Sequence, residues 1–480
     1  MTKLWQAIER RLDTEGDRGA FESAKGGSIS YARLKELTAA IANALPGEGP
    51  VAVVANRSFE AYVAVLACYR FGRTFVPCNP TFPVERLKKI VARSGAVACL
   101  FDPAHAAIAE QLGVPPMAID LETAGAEREA VAPDSEDIAY QLFTSGSTGE
   151  PKGVPIAHRS LSHYVENIVA AVGIEDHWRA TQFFDLSFDL SMHDIFVTQM
   201  TGGTLVPASD MDLMMPHRYV ATNAIDIWFS VPLLAIAAAR GQAAMPAQAR
   251  LKKAMFCGEA LPGGYAQSMA DLLVEGGELW NLYGPTEATI AFTAHRLDES
   301  DFAKGAVPLG EPFGDNRVAL LADDQVVETG EGREGEFLLG GPQVFAGYQP
   351  AIENDPFVCD ADGMRFYRTG DLVRITDGNV DYIGRLDSQV KIRGHRVELG
   401  EIEAVCKRIG GVDAAAAIVT GDASNPIIQI AFQGDSNADF APLPEMLPSY
   451  MVPKQFHHFA ELPTNANGKI DRKAIKGMLA

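Results

Sequence analysis

The segment LFTSGSTGEPKGV (142–154) sets hydroxyls at Thr144, Ser145, Ser147 and Thr148 between the bare backbone of Gly146 and Gly149, with Lys152 close behind. Glycine lets backbone approach a ligand closely, and each free N–H can donate, so such a loop can wrap a polyphosphate. It lacks the GxxxxGK[ST] pattern of a Walker loop, and alone it also reads as a polar surface loop. NLYGPTEAT (281–289) brings Tyr283, Thr286 and Glu287 onto one turn. There a ring can stack on a base, a hydroxyl can bind phosphate, and a carboxylate can share Mg²⁺ with phosphate oxygens. In YRTGDL (367–372), Asp371 follows a tight turn and can accept from ribose hydroxyls. GRLDSQVKIRGHRVELGEIE (384–403) adds Arg385, Asp387 and Lys391, and NGKIDRK (467–473) sets Lys469 after an Asn-Gly turn. Taken singly, Lys469 reads as a solvated lysine, and Asp371 and Glu287 as turn or capping residues.

Positioning these loops requires strands and helices in alternation, and the first 386 residues supply them. VAVVAN (51–56) reads as a strand, AYVAVLACYRFG (61–72) as a buried helix stopped by glycine, and TFVPCNP and AVACLFDP as further strands. DIAYQLF, IDIWFSVP and KAMFCG extend the series, so the fold class is α/β with parallel or mixed sheets. Glycine and proline clusters stand where an open sheet carries its ligand loops. From about residue 305, GEPFGDNRVALL and GEFLLGGPQVFAGY change the texture to antiparallel β. After GRLD (384–387) a compact α+β unit begins, whose helix LGEIEAVCKRI presents Leu399, Ile402, Val405, Cys406 and Ile409 on one face. The expected division is a large unit, 1–386, and a small one, 387–480.

Totals narrow the function. With 41 basic and 62 acidic residues the net charge is −21, which argues against a nucleic-acid surface. Counting from Asp387 onward gives 10 Lys/Arg and 11 Asp/Glu, or −1, so the large unit carries −20. No apolar stretch is long enough to span a membrane, and MTKLWQAIERRLDTEGD lacks the apolar centre of a signal peptide. The six cysteines are scattered, with no CxxC pair, so neither disulfides nor zinc are expected, and a cytoplasmic location fits.

In order and spacing these motifs resemble the adenylate-forming superfamily that includes peptide-synthetase adenylation domains, acyl-coenzyme A synthetases and luciferases. The resemblance runs from SYARL (30–34) to the NGK segment. It implies a large N-terminal domain of αβ-sandwich subdomains plus a β-barrel-like subdomain, and a small mobile C-terminal α+β domain. It implies ATP and Mg²⁺ as cofactors, with Thr144 to Gly149 closing over the β,γ-phosphates and Lys152 assisting. Gly258, Glu259 and the Asn281–Leu282–Tyr283–Gly284 strip would frame the adenine, Thr286 would touch phosphate, and Glu287 would hold magnesium. Asp371 would hold the ribose with Arg385 nearby. Lys469 would bridge the reacting carboxylate and the α-phosphate, then withdraw as the small domain swings about Asp387 and presents Lys391 for thioester formation.

The resemblance also points to an acid. In FDLSFDLSMHDIF (184–196), Asp189 falls where amino-acid-activating members pair a carboxylate with the substrate ammonium; Asp185 is its rival in the duplicated FDLS. The remaining pocket positions would be Leu190, His193, Leu233, Met255, Cys257, Leu282, Ile290 and Ala291. Large side chains there favour a small amino acid: alanine, glycine, 2-aminobutyrate, serine or proline. FCGE (256–259) is similar to the stand-alone D-alanine–carrier-protein ligases, so a separate phosphopantetheine carrier protein is the expected partner. His193 and Leu282 depart from that subgroup. An acyl- or aryl-coenzyme A ligase of the same fold is the rival enzyme, and a catalytically inactive nucleotide-binding protein the rival from another class.

Overall fold

The structure is a computed structural model, which describes the chain except residues 24–25, 124, 126, 145–149, 236–250, 271, 354, 393, 422–425, 465–469 and 480. Ser145, Gly146, Ser147, Thr148, Gly149 and Lys469 therefore lie outside the described residues. One six-stranded sheet runs in the order 116–118, 98–101, 51–54, 75–78, 138–144, 152–157. Its strands Val51–Val54, Phe75–Cys78 and Ala98–Phe101 pair in parallel and are buried at every residue. Continuous apolar runs suit strands covered on both faces. The crossover helix Phe59–Arg70 starts where Ser58 accepts from the Ala61 N–H, the usual serine cap.

A nine-stranded sheet follows the order 311–312, 293–296, 273–283, 251–256, 227–230, 179–182, 204–207, 19–22, 28–30. The helix Leu190–Met200 lies between the two sheets: Phe196 meets Phe75 of the first at 6.4 Å, and His193 meets Phe229 of the second at 4.1 Å. It is covered on all sides, so even its polar stripe of Ser191, Asp194 and Thr198 is buried. A third, antiparallel sheet runs 325–327, 317–322, 334–340, 365–376, 357–359, and Asn379–Arg385 also pairs with Arg365–Thr376. Antiparallel pairing is present from about 305 as expected, but it is shared between two sheets: Glu311–Pro312 pairs antiparallel with Thr293–Arg296 at the edge of the nine-stranded sheet, and the third sheet opens at Arg317.

Past Asp387 come a hairpin (Gln389–Ile392 with His395–Glu398), the helix Leu399–Cys406, and the sheet 412–420, 427–434, 455–458. These strands join no sheet of the body among the described residues, and Ile402, Val405, Ile430, Phe432 and Leu447 make a core of their own. The helix stops at Cys406, short of the expected span, yet Ile409 still packs into that core. Among the described residues no helix is long and apolar enough to cross a membrane.

Candidate active site

Strand ends of the nine-stranded sheet, the antiparallel sheet and the hairpin 389–398 meet around one cavity of about 470 Å³. Gly258, Glu259, Asn281, Tyr283, Arg385 and Lys391 line it, as do Leu233, Leu282 and Gly284. Asp371, on the long strand Arg365–Thr376, accepts from the Tyr283 hydroxyl at 2.6 Å and from Arg385 Nη1 at 2.6 Å. Arg385 also donates twice to Asp387, 2.7 Å each way, so one guanidinium ties the expected ribose ligand to the expected hinge. The Tyr283 hydroxyl is committed to Asp371, and the Asn281 amide donates to the carbonyls of Pro308 (2.8 Å) and Val307 (3.3 Å).

Glu287 is fully buried in the short helix Thr286–Ala288. Tyr348 donates to its Oε1 at 2.6 Å, and Arg396 Nη1 reaches both oxygens at 2.9 and 2.7 Å. Burial opposes its ionisation, but Arg396 and the Tyr348 hydroxyl outweigh that and hold the carboxyl below its ordinary value. Lys152 Nζ stands 5.4 Å from the Tyr348 ring centre. A single buried carboxylate would suit Mg²⁺, which takes few protein ligands. In this arrangement the Glu287 charge is already paired with Arg396. Among the described residues no cluster of three metal-ligating side chains exists.

The turn after Glu287 is strained: Thr289 and Ile290, both β-branched and buried, have φ of 61° and 71°. Gln343 holds it, donating to the carbonyls of Ala288, Thr289 and Ala291 at 3.2, 3.3 and 2.7 Å. Opposite, the hairpin turn makes its own close approach. Gly394 has φ +84°, its N–H donates to Glu259 Oε1 at 2.6 Å, and a Cβ there would sit 2.6 Å from Val231 Cγ1. Only glycine serves at that point.

Asp189 precedes the helix Leu190–Met200 and is buried, whereas Asp185 accepts from Asn79 Nδ2 at 3.0 Å. Burial pushes the Asp189 carboxyl up to about 7; the Thr286 hydroxyl draws it back, and the nearby charges of Glu287 and Lys391 act in opposite senses. Leu190, His193, Met255, Cys257, Leu282, Ile290 and Ala291 are all buried, and only Leu282 of these reaches the cavity wall. Burial pushes the Cys257 thiol up to about 12, so it stays protonated. It pushes His193 down to about 3, and the neutral ring's Nδ1 pairs with the Tyr164 hydroxyl at 2.7 Å. Thr144 ends the strand Ile138–Thr144, against Lys152.

Sequence reasoning missed Arg396, Tyr348, Gln343 and Tyr164. Arg396 stands inside the segment 384–403 that carries Lys391, and a basic residue two positions after Gly394 was the available signal. Gln343 and Tyr348 lie in the string GEFLLGGPQVFAGY, which was read only as antiparallel β, and Tyr164 has no motif around it.

A model of the family described as AMP-binding enzyme matches residues 8–349. The chain is 32% identical over 475 residues to the dimodular nonribosomal peptide synthase of Bacillus subtilis (strain 168), which covers 93% of this chain and 20% of that protein. It is 33% identical over 486 residues to phosphinothricin tripeptide synthetase PhsC of Streptomyces viridochromogenes, covering 94% of this chain and 43% of that one. It thus spans less than half the length of these curated relatives. Among solved structures, the Vibrio cholerae adenylation domain AlmE in complex with glycyl-adenosine-5′-phosphate superposes with a TM-score of 0.85 at 26% identity, over 100% of this chain and 98% of that one. PA1221, which contains adenylation and carrier domains, shares the fold at a TM-score of 0.84 and 22% identity, over 99% of this chain and 84% of that one. With its cavity built from the motif residues and the family model matching most of its length, this chain belongs to the AMP-binding, adenylate-forming enzymes, with adenylation domains of nonribosomal peptide synthetases among its relatives.

Proposed function

We propose that this chain condenses ATP with a small amino acid to give aminoacyl-AMP and pyrophosphate, then passes the acyl group to the phosphopantetheine thiol of a separate carrier protein in the cytoplasm. The observation that carries the amino-acid reading is Asp189, a buried carboxyl with no cationic hydrogen-bond partner among the described residues, next to Thr286 and within the field of Lys391. A buried carboxylate needs a counter-charge, and a substrate α-ammonium is the one this reaction supplies. D-Alanine is the first choice. The tight buried lining of Met255, Cys257, Leu282, Ile290 and Ala291 supports a small side chain, and AlmE holds a glycyl adenylate. Proline, serine, 2-aminobutyrate and small β-amino acids are the alternatives.

In the first half-reaction the substrate carboxylate oxygen attacks the α-phosphorus, and the bond to pyrophosphate breaks. Two anions must meet, so the residues position and neutralise rather than transfer protons. Lys469 supplies the movable charge. Asp371, with Arg385 and Tyr283, binds the ribose side, and the 144–149 loop with Lys152 holds the terminal phosphates. Glu287 would hold magnesium, which would supply charge neutralisation to the leaving pyrophosphate. That role needs Arg396 withdrawn. The arrangement described here, with Lys391 on the cavity wall and Arg396 on Glu287, fits the second half-reaction. There the thiolate attacks the acyl carbonyl and AMP leaves. Units 1–386 and 387–480 exchange these roles by rotation about Asp387, a hinge that absorbs backbone change at few residues.

ATP–pyrophosphate exchange across small L- and D-amino acids, short fatty acids and aryl acids tests the proposal. Faster exchange with a fatty or aryl acid than with every amino acid overturns it in favour of a coenzyme A ligase.

A further inference from the structure

The small unit meets the body at a second place, none of whose residues lines the nucleotide cavity. Arg86 stands on the helix Val84–Ser94 of the body, and Glu401 on the helix Leu399–Cys406. Their side chains are 8% and 1% exposed, and Arg86 Nη1 donates to Glu401 Oε1 across 315 positions of sequence. Arg86 Nε and Glu401 Oε2 have no hydrogen-bond partner among the described residues. Rings flank this single contact. The Arg86 guanidinium lies 5.8 Å from the centre of Phe82, and Phe82 meets Tyr450 edge-on at 6.4 Å. Tyr450 stacks on His395 at 3.9 Å, and His395 on Phe188 of the body at 5.8 Å.

Burying two opposite charges costs more desolvation than one hydrogen bond returns, so such a pair contributes little to the strength of the contact. What it does well is discriminate. Any other seating of the small unit on the aromatic seam would leave Arg86 or Glu401 buried without its partner, whereas rings slide past one another at low cost. We propose that the Arg86–Glu401 pair is the orientation key of the thioester-forming arrangement: a pair of positioning residues that seats the small unit so that Lys391 and the Gly394 turn face the cavity. This rests on the two-step reading above, and adds which contact selects the second arrangement.

The test separates the half-reactions. Arg86→Met, Glu401→Gln, Arg86→Lys and the exchange Arg86→Glu with Glu401→Arg are compared with wild type, using 4′-phosphopantetheine as thiol and the best amino acid of the exchange panel. Arg86→Met and Glu401→Gln each leave pyrophosphate exchange within about threefold, which also shows that they fold. Thioester formation falls by about 10²-fold or more, the cost of stranding one buried charge. Arg86→Lys retains most of the transfer rate, because only one N–H is used, and the charge exchange recovers part of it. Orientation is read directly by spin labels at the exposed positions Asp323 and Asn437 (Asp323→Cys, Asn437→Cys) with the exposed Cys359→Ser. The single narrow distance of the wild type broadens in Arg86→Met and narrows again in the charge exchange. Equal losses in both half-reactions, or unchanged transfer and label distance in both single variants, overturn the proposal. If no amino acid exchanges at all, the two-step reading falls, while the label distances still decide whether the pair fixes the orientation.

Discussion

Amino-acid binding should depend on pH in a way that Asp189 alone dictates. Its carboxyl is buried and raised from an ordinary value near 4 to about 7. The difference corresponds to about 4 kcal/mol by which burial disfavours the charged form before substrate arrives. The substrate ammonium pairs only with the ionised carboxylate. Because the value is raised, that form is scarce below pH 7 and dominant above it, so affinity is present at high pH and lost as pH falls through 7. At pH 6 about one Asp189 in eleven is ionised, and at pH 8 about ten in eleven, so KM should be about tenfold higher at pH 6. kcat should change much less, because the bound complex is already ionised. Asp189→Asn should raise KM by about 10²–10³, as expected for a buried cation left unpaired, and should erase the dependence. Propionate, which has no ammonium, should lose little in the variant. The assay is initial-rate pyrophosphate exchange at saturating ATP from pH 6 to 8. A wild-type KM flat over that range, or the same slope in Asp189→Asn, refutes the assignment.

Three further outcomes follow from the geometry. Lys469→Ala should lower exchange by about 10²–10³ while thioester formation from preformed aminoacyl-AMP survives; equal loss in both steps would reject alternating use of the small unit. Arg396→Ala should spare exchange, since Arg396 competes with magnesium for Glu287, and should slow thioester formation; a rise in the magnesium concentration needed for exchange would contradict that competition. Met255→Ala, at a fully buried site, should cost about 2–5 kcal/mol in urea unfolding and admit longer side chains in the exchange panel; unchanged selectivity would remove Met255 from the pocket.

How far the sequence carried depends on the kind of signal. The buried strands Val51–Val54, Phe75–Cys78 and Ala98–Phe101 were legible because each is a short apolar run bounded by turn residues. Tyr283, Glu287, Asp371, Arg385 and Lys391 were legible as a group because each sits in a compact string of glycine and polar residues. The edge strand Glu311–Pro312 was not, since two residues carry no periodicity and only pairing with Thr293–Arg296 makes them a strand.

The sequence by itself determined the family and the acidity of the first 386 residues, because these reside in residue type and local spacing. Tertiary structure alone decided what each charge faces. Glu287 reads in sequence as a metal ligand, and only the fold brings Arg396, 109 residues away, onto both of its oxygens. His193 reads in sequence as a pocket position, yet burial beside Phe229 keeps its ring neutral, with Nδ1 paired to the Tyr164 hydroxyl. Asp185 and Asp189 sit in identical FDLS strings, and only burial separates a carboxylate paired with Asn79 from one raised to about 7. Desolvation and distant pairing are sums over the whole packed molecule, and no local string of residues contains them.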